Sequence, residues 1–192
     1  MPLPALVNLI DTTQIRNDIQ RAKDEAADFI VMCIHWGVEY ELQANDEQRI
    51  VAQFLANEGV HLIIGSHPHV VQNVEILYGK DSLEVPVYYS LGNAISNQRW
   101  EHSNGGIMVS VDIHPLTKKI IQGSYLPVYV HKGKLHEKYQ YHLIATPDYL
   151  ENPAYYNLSA KDSTELVSFD VQTRGRIEKE DNRYVRLLYK EE

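Results

Sequence analysis

Two apolar runs on either side of an amphipathic segment constrain the fold of this chain more than any other feature. The first run covers 29–34 and ends at His35, and the second covers 61–65 and ends just before His67. The segment between them has helical apolar spacing and is followed by Gly59, a typical helix stop. Continuous apolar runs are typical of strands that are covered on both faces of a sheet. The pattern therefore predicts a right-handed βαβ unit with parallel strands.

The remaining segments predict further helices and antiparallel strands. Helices are predicted over about 12–26 and 162–179, and strands over 70–77, 85–91, 106–113 and 118–130. The last two strands are expected to form a hairpin. These elements predict an α/β fold, with 1–130 as the main domain and 131–192 as an extension that packs on it. Cys33 lies inside the first apolar run and is predicted to be a small core residue.

Composition limits the classes of function. The 192 residues include 18 Lys and Arg and 26 Asp and Glu, so the formal net charge is −8. Proteins that bind the nucleic-acid backbone need a surplus of positive charge, and this balance argues against that role. A single cysteine excludes an internal disulfide and a cysteine-based zinc site. The opening residues do not have the pattern of a signal peptide, and no apolar run approaches the length of a membrane helix.

Three of the nine histidines fall at predicted strand ends, where ligands collect in open α/β sheets. His35 ends the first strand, and His67 and His69 follow the second on either side of Pro68. The proline stiffens this turn, and neutral imidazole is the commonest metal ligand. Taken alone, His67 and His69 also fit a turn with two solvated side chains. The third ring at the neighbouring strand end favours a metal or catalytic site.

Two polar residues near these strand ends keep two interpretations each. Glu39 is either a carboxylate that orients an imidazole or a solvated loop charge. Asn93 follows a later strand and either contacts a ligand or belongs to a turn. The other six histidines are predicted to be structural or surface residues: His61, His102, His114, His131, His136 and His142. No glycine-rich phosphate loop and no nucleophile elbow is present in the sequence.

Three motifs together resemble a known family. They are His35-Trp36-Gly37-Val38-Glu39-Tyr40, then Gly65-Ser66-His67-Pro68-His69-Val70-Val71-Gln72 with Glu75, and finally Tyr89-Ser90-Leu91-Gly92-Asn93. Their order and spacing resemble the CapA-type capsule-synthesis family. These poly-γ-glutamate biosynthesis proteins are related to the calcineurin-like metallophosphatases. The resemblance covers about residues 5–130 and fades after them.

The resemblance implies a fold and a metal centre. The implied fold is a partial four-layer α/β/β/α metallophosphatase-like sandwich, in which a βαβ unit is followed by antiparallel hairpins. The implied centre holds two divalent Mn, Zn or Fe ions, with His35 and His67 as ligands of one and His69 as a ligand of the other. The same three histidines are the implied catalytic residues. The implied substrate-binding residues are Glu39, Tyr40, Gln72, Glu75 and Asn93. Metals held in this way would activate a water for attack at phosphorus or polarise an amide or ester carbonyl.

The resemblance also implies motifs that this sequence lacks. In the superfamily, the first half of the domain supplies an Asp after the first strand and an Asn-His pair, and nothing before His35 matches them. The chain is therefore expected to be the C-terminal portion of such a protein and to hold one metal ion or none. A homodimer or the missing N-terminal half is expected to cover the sheet edge left open.

The resemblance predicts a metallohydrolase-like domain that acts in synthesis or processing of an anionic cell-surface polymer. Its expected location is the cell envelope, outside the membrane. The bond that it cleaves stays open between a phosphoester and an amide. The alternative function is a non-catalytic module that binds the polymer or assembles with a partner chain.

Overall fold

The computed structural model describes residues 8–135, 138–178 and 182–188. The elements in these ranges are α1 Thr12–Asp24, β1 Val31–His35, α2 Asp46–Glu58, β2 Leu62–Ser66, β3 Val74–Tyr78, a 3₁₀ turn Lys80–Ser82, β4 Glu84–Tyr88, β5 Gly105–Ile113, β6 Ile120–Leu135, β7 Lys138–Ala145, α3 Thr146–Glu151, α4 Pro153–Tyr156, α5 Ala160–Ile177 and β8 Arg186–Leu187. This content confirms the α/β class that the sequence predicts.

The first strands and the helix between them form the predicted βαβ unit. β1 and β2 are parallel, with His35 opposite Ser66. α2 begins after Asn45, whose side chain accepts a hydrogen bond from the Gln48 backbone, while the Gln48 side chain accepts one from the Asn45 backbone. The helix ends at Gly59, whose φ of 92° places it in the left-handed region. Because β1 and β2 are parallel, their carboxyl ends meet at one edge of the sheet.

The strands form two sheets. The first has the order β1-β2-β4-β3, in which β1, β2 and β4 are parallel and β3 is antiparallel to β4. The second contains antiparallel β5, β6 and β7, and β8 pairs with β6 in parallel. The β5–β6 pair confirms the predicted hairpin. Together with the helices, the two sheets form part of an α/β sandwich.

Two hydrophobic clusters hold these layers together. One packs α1 and α2 on the first sheet and includes the buried residues Ile19 and Ile63. The other joins the two sheets to α5 and includes Tyr125 and Phe169. Because β6 runs through residue 130 and α5 contributes to the second cluster, the described residues after 130 share a core with those before it. The division into 1–130 and 131–192 stays a prediction.

The strand β1 differs from its predicted burial. Among the described residues it lies at the end of its sheet and pairs with β2 alone. Val31 and Cys33 lie on the same face of β1 and belong to neither hydrophobic cluster, so Val31 is 46% exposed and Cys33 is exposed. The prediction that Cys33 is a core residue is wrong, because an apolar run does not distinguish a central strand from an edge strand. Such an open apolar edge is a pairing surface for a further strand. Coverage by a homodimer or by an N-terminal half stays a prediction.

Candidate metal centre

The ends of β1 and β2 bring three histidines to one edge of the first sheet. The ring centroids of His35 and His67 are 4.5 Å apart, and those of His67 and His69 are 6.1 Å apart. Because β1 and β2 are parallel, with His35 opposite Ser66, their histidine-bearing ends lie at the same edge of the sheet. The three histidines that the sequence selected therefore lie side by side.

The turn after β2 has an unusual backbone conformation. His67 has a φ of 104° and His69 a φ of 60°, a region that residues other than glycine seldom adopt. The carbonyl of Pro68, between them, accepts a hydrogen bond of 2.8 Å from the backbone N–H of Tyr40. This bond fastens the loop after β1 to the turn after β2. Strained residues of this kind cluster at binding and active sites, where the surrounding structure holds them in place.

The fastened loop brings a carboxylate to the histidines. One ligand atom from each of Glu39, His67 and His69 lies within 4.8 Å of the other two. Glu39 Oε1 is 3.7 Å from His69 Nε2. We call these three residues the donor cluster. Two imidazoles and one carboxylate form a ligand set that suits first-row divalent ions, so the residues present fit a metal ion of that class.

Asn93 orients His69 within the donor cluster. Its Nδ2 donates to the Ser103 carbonyl at 2.8 Å and to Gln98 Oε1 at 3.0 Å, so its Oδ1 must act as an acceptor. That Oδ1 lies 3.0 Å from His69 Nδ1. His69 Nδ1 therefore donates this hydrogen bond, and Nε2 is the ring nitrogen on the side of Glu39. This is the arrangement that holds a metal-binding histidine in the correct tautomer.

Replacement of Asn93 with alanine is expected to weaken metal binding by about 10-fold to 100-fold, the range typical of outer-shell partners. The loss of Oδ1 frees the His69 ring to rotate and to change tautomer. Competition titration with a chromogenic chelator measures the affinity. Asn57→Ala, an exposed change on α2 outside this site, is the matched control. An Asn93→Ala affinity equal to that of the wild type would show that His69 does not depend on this bond.

His35 lies next to the donor cluster rather than within it. Its Nδ1 is 3.4 Å from Ser66 Oγ, and its ring contacts His67. Partial burial lowers the pKa of His35, and the neighbouring His67 and His69 lower it further. The ring is therefore neutral at pH 7, the form in which imidazole binds a metal or accepts a proton. The role of His35 as a ligand stays a prediction.

Of the predicted substrate-binding residues, Glu39, Tyr40 and Asn93 lie next to the histidines, and substrate binding by each of them stays a prediction. The Tyr40 ring stacks on His69 with centroids 6.1 Å apart, and it contacts Trp100 at 6.2 Å. Trp100, which is 66% exposed, was not singled out by the sequence, since the loop that carries it has no motif of its own. Together the two aromatic rings form a wall beside the donor cluster.

Gln72 and Glu75 occupy positions behind this site. Gln72 is buried, and its Nε2 donates to the carbonyls of Glu41 and Gln43 at 2.9 Å and 3.1 Å. Glu75 forms an ion pair with Arg49 and accepts further hydrogen bonds. The Gln72 bonds hold the loop that carries Glu39, whereas the Glu75 contacts are with Arg49 on α2, Asn73 and Tyr89. Substrate binding by Gln72 and Glu75 stays a prediction.

Contacts of Trp36 and Gly65 with Tyr89 hold the end of β1 in place. Trp36 Nε1 donates to the Tyr89 carbonyl at 2.9 Å, and the two rings stack with centroids 5.7 Å apart. Gly65 lies against this contact, because a Cβ there would be 2.0 Å from the Tyr89 carbonyl oxygen and 2.5 Å from Trp36 Nε1. The close approach of backbone at Gly65 therefore positions the residue that follows His35.

None of the other histidines in the described ranges belongs to the donor cluster. His61 Nδ1 accepts a hydrogen bond of 3.1 Å from the Ile30 backbone, and burial, followed by the charge of Lys23, lowers the pKa of His61. That geometry agrees with a structural histidine. His136 lies outside the described residues.

Comparison with known proteins adds the family context. The family model described as bacterial capsule synthesis protein PGA_cap matches residues 2–98. The PGA biosynthesis protein CapA of Bacillus subtilis (strain 168) is 36% identical over 91 residues, which are 47% of this chain and 22% of that protein. The capsule biosynthesis protein CapA of Bacillus anthracis is 32% identical over 123 residues, 57% of this chain and 28% of that protein. The chain therefore spans about a quarter of the length of these relatives.

Proposed function

This chain belongs to the bacterial capsule synthesis protein family, and we propose that it is a metallohydrolase-like domain acting on an anionic cell-surface polymer or its precursors. The observation that carries the proposal is the donor cluster, with ligand atoms of Glu39, His67 and His69 within 4.8 Å of one another. The names of the relatives support a role in capsule biosynthesis. The cluster supports metal-dependent chemistry, because two imidazoles and a carboxylate lie close enough together to bind one ion. It is the single group of this kind among the described residues.

The donor cluster would hold a divalent Mn, Zn or Fe ion. Such an ion, when bound, supplies Lewis-acid activation of a phosphoryl or carbonyl oxygen. Asn93 keeps His69 Nε2 free, and the bond between Tyr40 N–H and the Pro68 carbonyl keeps Glu39 in range. His35 is the neutral base next to the cluster, so it can accept a proton from a water or return one to a leaving group.

Groups close to the donor cluster have to supply the attraction for an anionic substrate. With a formal net charge of −8, the field of the whole chain repels an anionic polymer. Metal or clustered cations near the donor cluster would supply the attraction. The capsule role in the names of the relatives supports the cell envelope as the place of action. No helix in the described part of the chain is both long enough and apolar enough to cross a membrane.

A non-catalytic module is the second candidate. Within the described ranges a single group of three donors fits a metal, whereas a two-metal centre needs more ligands. This observation favours a domain that binds polymer or completes its site with another segment or chain. Turnover by this chain alone decides between the two candidates.

The deciding experiment is a hydrolysis screen with Mn²⁺ or Zn²⁺ against phosphoesters and γ-glutamyl amides. We expect turnover by the wild type and a loss of at least about 100-fold in His69→Ala, the upper end for loss of a mere outer-shell partner. His142→Ala, an exposed histidine on β7, is the matched control. Activity that survives in His69→Ala would refute the assignment of this site. A metal-loaded wild type without turnover would support the non-catalytic candidate.

A further inference from the structure

A cluster of cations and aromatic rings lies in the loop and strands next to the metal centre. Lys132 Nζ is 4.5 Å from the Tyr139 ring centroid and 5.6 Å from that of Tyr141. Arg99 Cζ is 5.9 Å from the same Tyr141 centroid. Both cations therefore pack on one tyrosine, in the geometry of cation–π contacts. We call Arg99, Lys132 and the two tyrosines the cationic cluster.

The cationic groups of this cluster are held in place. Lys132 Nζ and the Tyr141 hydroxyl each donate to Asn97 Oδ1 at 2.7 Å. Arg99 Nη1 donates to the carbonyls of Gln98 at 2.7 Å and Ser96 at 3.3 Å. These bonds leave the Nε and Nη2 edge of Arg99 without a partner among the described residues. Groups fixed before a ligand arrives lose less conformational entropy when they bind it.

The two cations of this cluster have no ion-pair partner among the described residues, whereas the acids near them contact other groups. Within the described residues, no carboxylate forms an ion pair with Arg99 or Lys132, although the chain contains 26 acidic residues. Three acids line the neighbouring cavity, and each contacts another group: Glu101 contacts His102, Asp162 accepts from Ser159, and Glu165 contacts Lys161 and Tyr129. In a chain of net charge −8, two adjacent cations without an acidic partner are free to bind an external anion.

The cationic cluster is joined to the metal centre by aromatic side chains. Trp100 follows Arg99 and contacts Tyr40 at 6.2 Å, and Tyr40 stacks on His69. A cavity of about 490 Å³ opens on this side, and Arg99, Trp100 and Lys132 are among its lining residues. An extended ligand that runs along the aromatic wall would meet the cationic cluster at one end and the donor cluster at the other.

We propose that Arg99 and Lys132 bind an anionic group, a carboxylate or a phosphate, of a substrate whose reacting bond lies at the donor cluster. The free edge of the Arg99 guanidinium matches the two oxygens of such a group, and Lys132 adds a point charge. The proposal that these two residues bind an anion depends only on the geometry of the cationic cluster. Its placement as a substrate subsite rests on the proposed function.

Calorimetric titration of the full chain tests the subsite with two anionic probes, with and without EDTA. The probes are γ-linked tetraglutamate and tetra(glycerol phosphate), and the amidated form of the first is the neutral control. Arg99→Gln/Lys132→Gln is compared with Arg16→Gln/Arg21→Gln, which removes the same charge from α1. Loss of two charge-assisted contacts predicts at least about tenfold weaker binding of the favoured probe in the first variant only.

The results of this titration either support or overturn the anion subsite. Weaker binding of one probe supports the subsite and identifies the anion as carboxylate or phosphate, and weaker binding of both supports a site for either. Equal affinities in wild type and Arg99→Gln/Lys132→Gln, equal losses in the two variants, or no binding of either probe by the wild type would overturn it. Binding that persists in EDTA and in His69→Ala keeps the subsite separate from the metal centre, so failure of one proposal does not imply failure of the other.

Discussion

His67→Ala is expected to lower the affinity of this chain for Mn²⁺ or Zn²⁺ by more than about 100-fold, beyond the loss typical of an outer-shell partner. His67 supplies one of the three ligand atoms of the donor cluster. Its ring also contacts His35, with the two centroids 4.5 Å apart. Its removal leaves one imidazole and one exposed carboxylate, which do not form a specific site for these ions.

Elemental analysis of the tag-free chain and competition titration measure this effect. His67 has a φ of 104°, so alanine there also adds backbone strain. His67→Asn, which tolerates a positive φ better, separates loss of the ligand from loss of folding. His142→Ala is expected to bind metal as the wild type does. A metal content that is unchanged in both His67 variants would eliminate the metal site.

Gly65→Ala is expected to reduce the free energy of unfolding by about 3 kcal/mol, the upper range for forcing an extra carbon into a packed interior. The added Cβ would lie 2.0 Å from the Tyr89 carbonyl oxygen and 2.5 Å from Trp36 Nε1. Because the first contact is with backbone, no side-chain rotation relieves it. The clash must displace β2 or break the Trp36–Tyr89 hydrogen bond, and either change disturbs the end of β1 at His35.

Urea unfolding followed by circular dichroism measures this loss. Gly175→Ala is the matched control, because a Cβ at this position of α5 would meet nothing within 4 Å. Alanine in a helix interior is expected to stabilise the chain by about 0.5–1 kcal/mol relative to glycine. The two substitutions should therefore have opposite signs. A Gly65→Ala midpoint equal to that of the wild type would contradict the close approach of Gly65 to the Tyr89 carbonyl.

Local patterns were sufficient to predict most of the secondary structure. Gly59 ends α2 as expected, because a glycine stop is a property of a few adjacent residues. The burial of β1 could not be predicted in this way. Its apolar run is compatible with a central or an edge strand, and only the strand order of the sheet places Cys33 at an exposed edge.

The sequence by itself determined that His35, His67 and His69 lie at neighbouring strand ends, since apolar periodicity and the parallel βαβ rule are sufficient for that inference. The tertiary structure decided which side chains join them. Glu39 reaches the donor cluster through a backbone bond between two loops, and Asn93 selects the His69 tautomer from a third loop. Such contacts depend on how separate segments pack, and no short stretch of sequence encodes that packing.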